Sequence, residues 1–339
     1  MTTVMTPAAA GAAPPSTAPA PSWRHNRWLR FGVRRAARLV LSLWVLVTAA
    51  FLMIHLVPGD PVRAALGMTA SPDVVAARRA ELGLDDSLWR QYAHFLGGLC
   101  TGDLGSSTIS GLPVTRTIAD RLPATAQLAC LAFLLALAVA VPLGTATAAL
   151  TRSGRRRGAE LAFTSVSGLL AAVPEFLLAV VLAYVFAVRL GWFPVAGRQG
   201  PGSYVLPVLA LSAGPAAVLA RICRVEVLSV LSRDYVRTAR AKRLPPHRVY
   251  LRHALPNAVT ATLTLGGLLL SALVAGTVLV ENVFAWPGLG STIVQSILQK
   301  DYPLVQGIVL VYGAGVLAVN LLVDVALAVL DPRSAIGEV

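Results

Sequence analysis

Six stretches of the chain, residues 38–57, 124–150, 161–188, 204–225, 257–280 and 304–330, each meet or approach the length of about 20 apolar residues that a helix needs to cross a bilayer. An Arg or Lys at mid-depth costs roughly 3 kcal/mol, and these stretches nearly exclude both. The expected fold is therefore an all-α polytopic membrane protein with six transmembrane helices. Composition agrees, at 56% hydrophobic and 13% charged residues with a mean hydropathy of +0.69.

A net charge of +13 would suit nucleic acid, but the placement of the charge argues for the bilayer instead. With six spans both termini share one side, and that side holds 20 of the 29 Lys and Arg residues. They are six in the opening stretch, four in "TRSGRRRGAE", nine between Arg221 and Arg252 and one in the tail. By the positive-inside rule the termini are cytoplasmic and the lipid bilayer, not nucleic acid, is the partner. The Ala- and Pro-rich opening lacks the bulky residues of a core and reads as a disordered tail. The Arg-rich run ahead of the first apolar stretch resembles a secretory signal, but "VPGDPV" stands where a small-residue cleavage site would be, so a retained span is expected. Cys100, Cys130 and Cys223 have no metal-ligand spacing.

On the outside, Pro58 to about Pro123 reads as a small cap. In it "SPDVVAARRAELGL" has the punctuation of a short amphipathic helix, while Pro58-Gly59-Asp60, Gly102-Asp103-Leu104-Gly105 and "WPGLG" at Trp286 to Gly290 read as turns.

Between the fourth and fifth stretches lies the densest positive charge, "TARAKRLPPHRVYLRHALPN". From Glu226 to Lys242 the apolar positions Val227, Leu231, Tyr235 and Ala239 recur every four residues, predicting one helix that Pro245-Pro246 stops. Pro246 then opens a second short helix with Val249, Tyr250, His253 and Ala254 on one face. Charge alone would fit a topology signal or lipid headgroups equally well.

The pattern "DYVRTARAKRLPPHRVYLRHALPNAV" resembles the cytoplasmic coupling loop of ABC transporter permeases of the dipeptide, oligopeptide and nickel family. Further matching blocks occur in order: "HLVPGDPV", "LGLDDSLWRQYAHFL" with "TGDLGSS", "RLPATAQLA", "VPEF", "ENVFAWPGLG", and "DYPLVQG" through "NLLVDVALAVLDPR". The resemblance implies a type I importer permease over 34–335, with an external segment at 58–123 and a coupling loop at 226–256, flanked by tails at 1–33 and 336–339. It further implies that Tyr235, Thr238, Ala239, Arg240, Ala241, Lys242, Arg243, Leu244, Pro245, Val249 and His253 meet an ATPase subunit. The implied partners are a homologous second permease, two ABC ATPases and an extracytoplasmic substrate-binding protein. Arg243 departs from the family, which has glycine there. That glycine is expected to supply a left-handed residue at the helix end, a conformation costly for a side chain with a Cβ.

A P-loop needs G-x-x-x-x-G-K-[ST], and the two lysines, Lys242 and Lys300, lie in no such motif. The chain is thus expected to be non-catalytic and to bind no cofactor, with ATP and Mg used by the partner ATPases. Within the spans, Glu175 after Pro174 is a candidate for the pathway. Asn320 and Asp324, one turn apart, are candidates too, with bonding to Arg221 or Arg224 as the structural alternative. Gly266, Gly267, Ser271 and Gly276 suit close helix packing. A secondary transporter or channel is the rival of another class. An intramembrane protease is disfavoured, because "SVSG" lacks a leading Gly and His55 lies at a span end. Among solutes, peptides are preferred over nickel or other metal chelates, opines and oligosaccharides, since the spans offer few metal ligands.

Overall fold

The structure, a computed structural model, describes residues 27–56, 62–63, 71–81, 83–152, 154 and 156–330. The expected tail before Arg27, the Pro58-Gly59-Asp60 turn and the end from Asp331 on lie outside these residues. Every apolar stretch folds as helix, the form in which a backbone surrounded by hydrocarbon satisfies its own amides. Helix α1 is Arg27–Leu56, α2 Pro72–Glu81, α3 Leu88–Thr101 and α4 Val114–Thr151. Next come α5, Arg157–Ala172, and α6, Glu175–Leu182, which continues through a π-helical segment, Ala183–Arg189. Helix α7 is Gly202–Leu231 and α8 Asp234–Ala241. A turn, Pro246–Arg248, and a second π-helical segment, Val249–Ala254, then run without a break into α9, Leu255–Val283, ahead of α10, Leu289–Leu298, and α11, Tyr302–Leu330. Among the described residues α1, α4, α7, α9 and α11 are each long and apolar enough to span a bilayer, and α5 with α6 forms a pair bent by 96°.

Helix α7 is the axis. It packs along α4 and also against α9, α5 and α6, and its most apolar window is 56% buried, against 11% for α1 and α11. The reason lies in α4, where Ala124, Leu128, Ala132, Ala136, Ala140, Gly144 and Ala148 recur every four residues as one buried ridge of mostly small side chains. At Gly144 a Cβ would stand 2.6 Å from the Ala220 carbonyl oxygen and 2.8 Å from Cys223 Cβ. Small residues are what let two helices approach so closely when the solvent is itself apolar. Leu134, Leu161, Leu169, Leu268 and Leu322 point outward and expose apolar surface to the bilayer.

Three elements depart from the sequence-based expectations. Helix α4 starts ten residues before 124 and runs through Pro123, because Val114 and Ile118 are already buried against Leu289, Leu304 and Ile308. The third stretch is two helices rather than one kinked span: Pro174 cannot donate into the helix before it, and Val173 is extended. The helix expected over 226–242 breaks at Ser232 and Arg233, the latter extended, and restarts with Asp234 in the first turn of α8.

The segment between α1 and α4 folds against the spans. Helix α3 lies on α1 through Tyr92 and Thr48 hydroxyls at 2.8 Å, His55 and Gln91 at 3.0 Å, and Phe51, which meets Tyr92 edge to face and Phe95 at a tilt. Glycines 102 and 105 take left-handed conformations in the expected turn. After it Ser107 and Thr108 reach across to Asp301, whose buried carboxylate accepts from the Ser107 hydroxyl, from the Thr108 amide at 3.0 Å and from the Thr108 hydroxyl at 3.2 Å. This ties the cap to the start of α11.

Candidate functional site

The basic loop between α7 and α9 is folded back on its own spans. Restarting the helix at Asp234 shifts its phase by one residue, so Val236 is 0% exposed whereas Tyr235 is 42% exposed. Val236 joins Val227, Val230, Leu231, Val249, Ala254 and Ala258 in a cluster that also takes in Ala148 of α4 and Cys223 of α7. Ala239 is also buried. The outward-facing surface includes Tyr235, Arg237, Thr238, Ala241, Lys242 and Arg243, with the half-buried Arg240, Leu244, Pro245 and His253 beside it. One terminal guanidinium nitrogen of Arg240 is buried without a hydrogen-bond partner among the described residues.

Helix α8 ends in a left-handed cap. Arg243 itself has φ +53°, its amide bonds to the Arg240 carbonyl at 2.8 Å, and the Leu244 amide reaches the Ala239 carbonyl at 3.3 Å. That pair of bonds is the Schellman arrangement. Arg243 therefore holds a left-handed position of the kind expected for a glycine, in a conformation that costs a residue with a Cβ about 1 kcal/mol or more.

The charged and polar groups within the spans do not gather in one place. Glu175 sits at the start of α6, directly after the bend, and its carboxylate faces Gly276 of α9 so closely that a Cβ there would overlap it. Asn320 accepts from the Ser271 hydroxyl at 2.8 Å, and Asp324 pairs with Arg35 of α1 at 2.5 Å. The expected bonding to Arg221 or Arg224 is thus corrected: Arg224 is taken up by Glu160 at 2.5 Å and the Thr151 hydroxyl at 3.1 Å. Gly267 packs under Val323 and Gly276 under Glu175, so these glycines act where helices touch.

Sequence reasoning missed a second buried constellation at the end of α9. Glu281 is fully buried; it accepts from the Thr125 hydroxyl at 2.7 Å and from the Ser291 amide at 3.1 Å. The same Thr125 hydroxyl accepts from the Leu289 amide at 2.8 Å, and the buried Trp286 indole donates to the Ala124 carbonyl at 3.2 Å. A carboxylate in that setting is stable only because its oxygens are met by donors. The signal lay in spacing: Leu273, Thr277 and Glu281 recur every four residues and all are buried, which puts Glu281 on the packed face rather than in the loop beyond it.

Comparison with known proteins supplies the context. Residues 140–336 match the family described as binding-protein-dependent transport system inner membrane component, and residues 28–129 match the N-terminal region of such membrane components. The chain is 40% identical over 306 residues to glutathione transport system permease protein GsiC of Pectobacterium atrosepticum, covering 90% of this chain and 98% of that one. With the same coverage it is 38% identical over 305 residues to the protein of that name from Salmonella typhimurium, and 38% identical over 306 residues to that from Escherichia coli K12. A crystal structure of an amino acid ABC transporter with histidines aligns at a TM-score of 0.47 and 18% identity, over 62% of this chain and 93% of the other.

Proposed function

This chain belongs to the binding-protein-dependent transport system inner membrane components and is a non-catalytic permease subunit of an ABC importer, and on that premise we propose that it passes short peptides, glutathione among them, by alternating access. Two ATPase subunits, which bind ATP and Mg, close and press on the loop from Ser232 to Ala254. This chain and a homologous second permease then rock open to the outside, where the binding protein delivers its peptide. The termini lie in the cytoplasm, on the side that carries most of the Lys and Arg residues.

The observation that carries the coupling role is the two-sidedness of α8. Its inner face is sealed to α4, α7 and the start of α9 by an apolar cluster, so a push on its outer face is delivered to the ends of these helices. The unpartnered nitrogen of Arg240 adds support, since a buried donor without an acceptor is costly and a docked partner that shifts the loop relieves it. The preference for peptides rests on what the relatives' names say they carry.

Uptake of labelled glutathione, trialanine and nickel ion in cells with and without this chain tests the reading. Loss of peptide uptake, with an ATPase co-purifying with the chain, is the expected result. Loss of nickel uptake alone would overturn the peptide assignment.

A further inference from the structure

Between the π-helical segment after α6 and the start of α7, the chain forms a short connection pinned to the end of α9 by the Gly197 amide, which bonds to the Phe284 carbonyl at 2.8 Å. The next residue is Arg198. Its Nε donates to the Tyr204 hydroxyl at 2.7 Å and a terminal nitrogen donates to Gln127 Oε1 at 2.7 Å, while the Tyr204 hydroxyl donates to the same Gln127 oxygen at 3.1 Å. The guanidinium carbon lies 5.8 Å from the centre of the Tyr204 ring and 6.0 Å from that of Trp286, and those two rings meet edge to face at 4.7 Å.

Every one of these partners is uncharged. Among the described residues no carboxylate pairs with Arg198, although the other ion pairs show that acids are used freely elsewhere in the chain. The side chain is exposed, yet its orientation is held by two hydrogen bonds and two aromatic faces. A guanidinium has more donors than these two bonds consume, and the remainder border an open cavity of about 740 Å³ lined also by Gln127, Cys130, Leu131, Pro201 and Tyr204. That volume lies within the range of small-molecule sites, roughly 300–1,000 Å³, and the lining has their usual makeup: an apolar wall with few fixed polar groups.

Resting on the importer reading above, we propose that Arg198 is an anion-recognition residue of the transport path, which takes the terminal carboxylate of a short peptide while the peptide's side chains lie along α4 and α7. A planar guanidinium held in advance suits a carboxylate, because both bind through paired, parallel hydrogen bonds and little side-chain freedom is lost on contact. The site also touches the moving parts. Trp286, against which Arg198 stacks, comes after the buried Glu281 and is bonded to α4, so a carboxylate drawn to Arg198 settles on the junction of α4, α7 and α9.

The test uses the whole complex in liposomes, with its two ATPases and binding protein, and reads ATP-driven uptake of glutathione and of trialanine, each against its C-terminal amide. Arg198→Ala is expected to lower uptake of the acids roughly tenfold and of the amides far less, the size of a lost charge-assisted hydrogen bond. Any preference of the binding protein for acids is the same for wild type and variant and cancels in the ratio. Arg198→Lys restores part of the preference, and Gln127→Leu, which keeps the charge but unties it, weakens the preference to an intermediate degree. These two carry the same test if Arg198→Ala does not assemble. Equal loss for acid and amide, or no loss for either, overturns the site. A defect that appears in vesicles containing phosphatidylglycerol but not in phosphatidylcholine alone assigns Arg198 to an anionic lipid headgroup and also overturns it. Failure of the wild-type complex to take up either acid would instead bring down the peptide reading itself, and the site with it.

Discussion

Glu281 is tolerated in a membrane span because donors surround its carboxylate, and its removal strands those donors. In Glu281→Ala the Thr125 hydroxyl loses its acceptor and the half-buried Ser291 amide loses its carboxylate partner, a penalty of about 2 kcal/mol. A lower unfolding midpoint of the purified complex is expected, with Glu281→Gln less affected because it keeps an acceptor. At the bend, Gly276→Ala forces the methyl group into the Glu175 carboxylate and is expected to impair uptake, and Glu175→Ala in the same chain should restore part of it. Recovery that fails to appear would show that the two residues do not meet in the working protein. Arg243→Gly relieves the left-handed strain at the end of α8. It should stabilise the loop by about 1 kcal/mol, seen as slower hydrogen exchange of the α8 amides. The glycine expected from the family pattern and the +53° φ of Arg243 agree because the turn needs that conformation whichever residue occupies it. Glu281 and Arg198 were not legible in the same way. Glu281 looks like the first residue of an external loop unless its four-residue spacing from Leu273 and Thr277 is followed, Arg198 looks like one more external arginine, and the packing of distant helices supplies the partners of both.

At the scale of elements, the two sides of α8 call for two different outcomes. Ala241 is exposed while Ala239 is buried. Ala241→Glu is expected to abolish transport and stimulated ATP hydrolysis with the chain still inserted at normal levels, which a membrane-fraction immunoblot would show. Ala239→Glu is expected to lose the folded loop altogether, because it buries a charge without a partner. Normal coupled transport in Ala241→Glu would remove the loop from the coupling role. The spans themselves were readable from length and apolarity, since those are the properties a bilayer selects. Their ends were not: α4 gains ten residues from packing against α10 and α11, and the expected helix over 226–242 breaks because Ser232 and Arg233 leave the helix and Asp234 starts another. Pro174 stood in plain view within the third stretch, but the 96° bend there could not be read from the sequence.

For the whole molecule, the peripheral pair α1 and α11 is the simplest place to test the arrangement. Asp324→Lys sets two cations side by side at Arg35 and is expected to reduce the amount of intact transporter in the membrane. Adding Arg35→Glu should restore it, with accumulation of the tagged chain as the measurement. Contact between these two helices also extends away from that end, where Gln306 donates to the Ala50 carbonyl at 3.1 Å.

The pairing of α1 with α11 bears on how the protein is made. Helix α1 finds its main helical neighbour only when α11, far along the chain, has been synthesised. Until then Arg35 and the Ala50 carbonyl wait in the lipid or in the insertion machinery without Asp324 and Gln306. Synthesis of α11 is thus the event that lets α1 pack against its main helical neighbour, and a product cut short before α11 leaves that face of α1 unmatched.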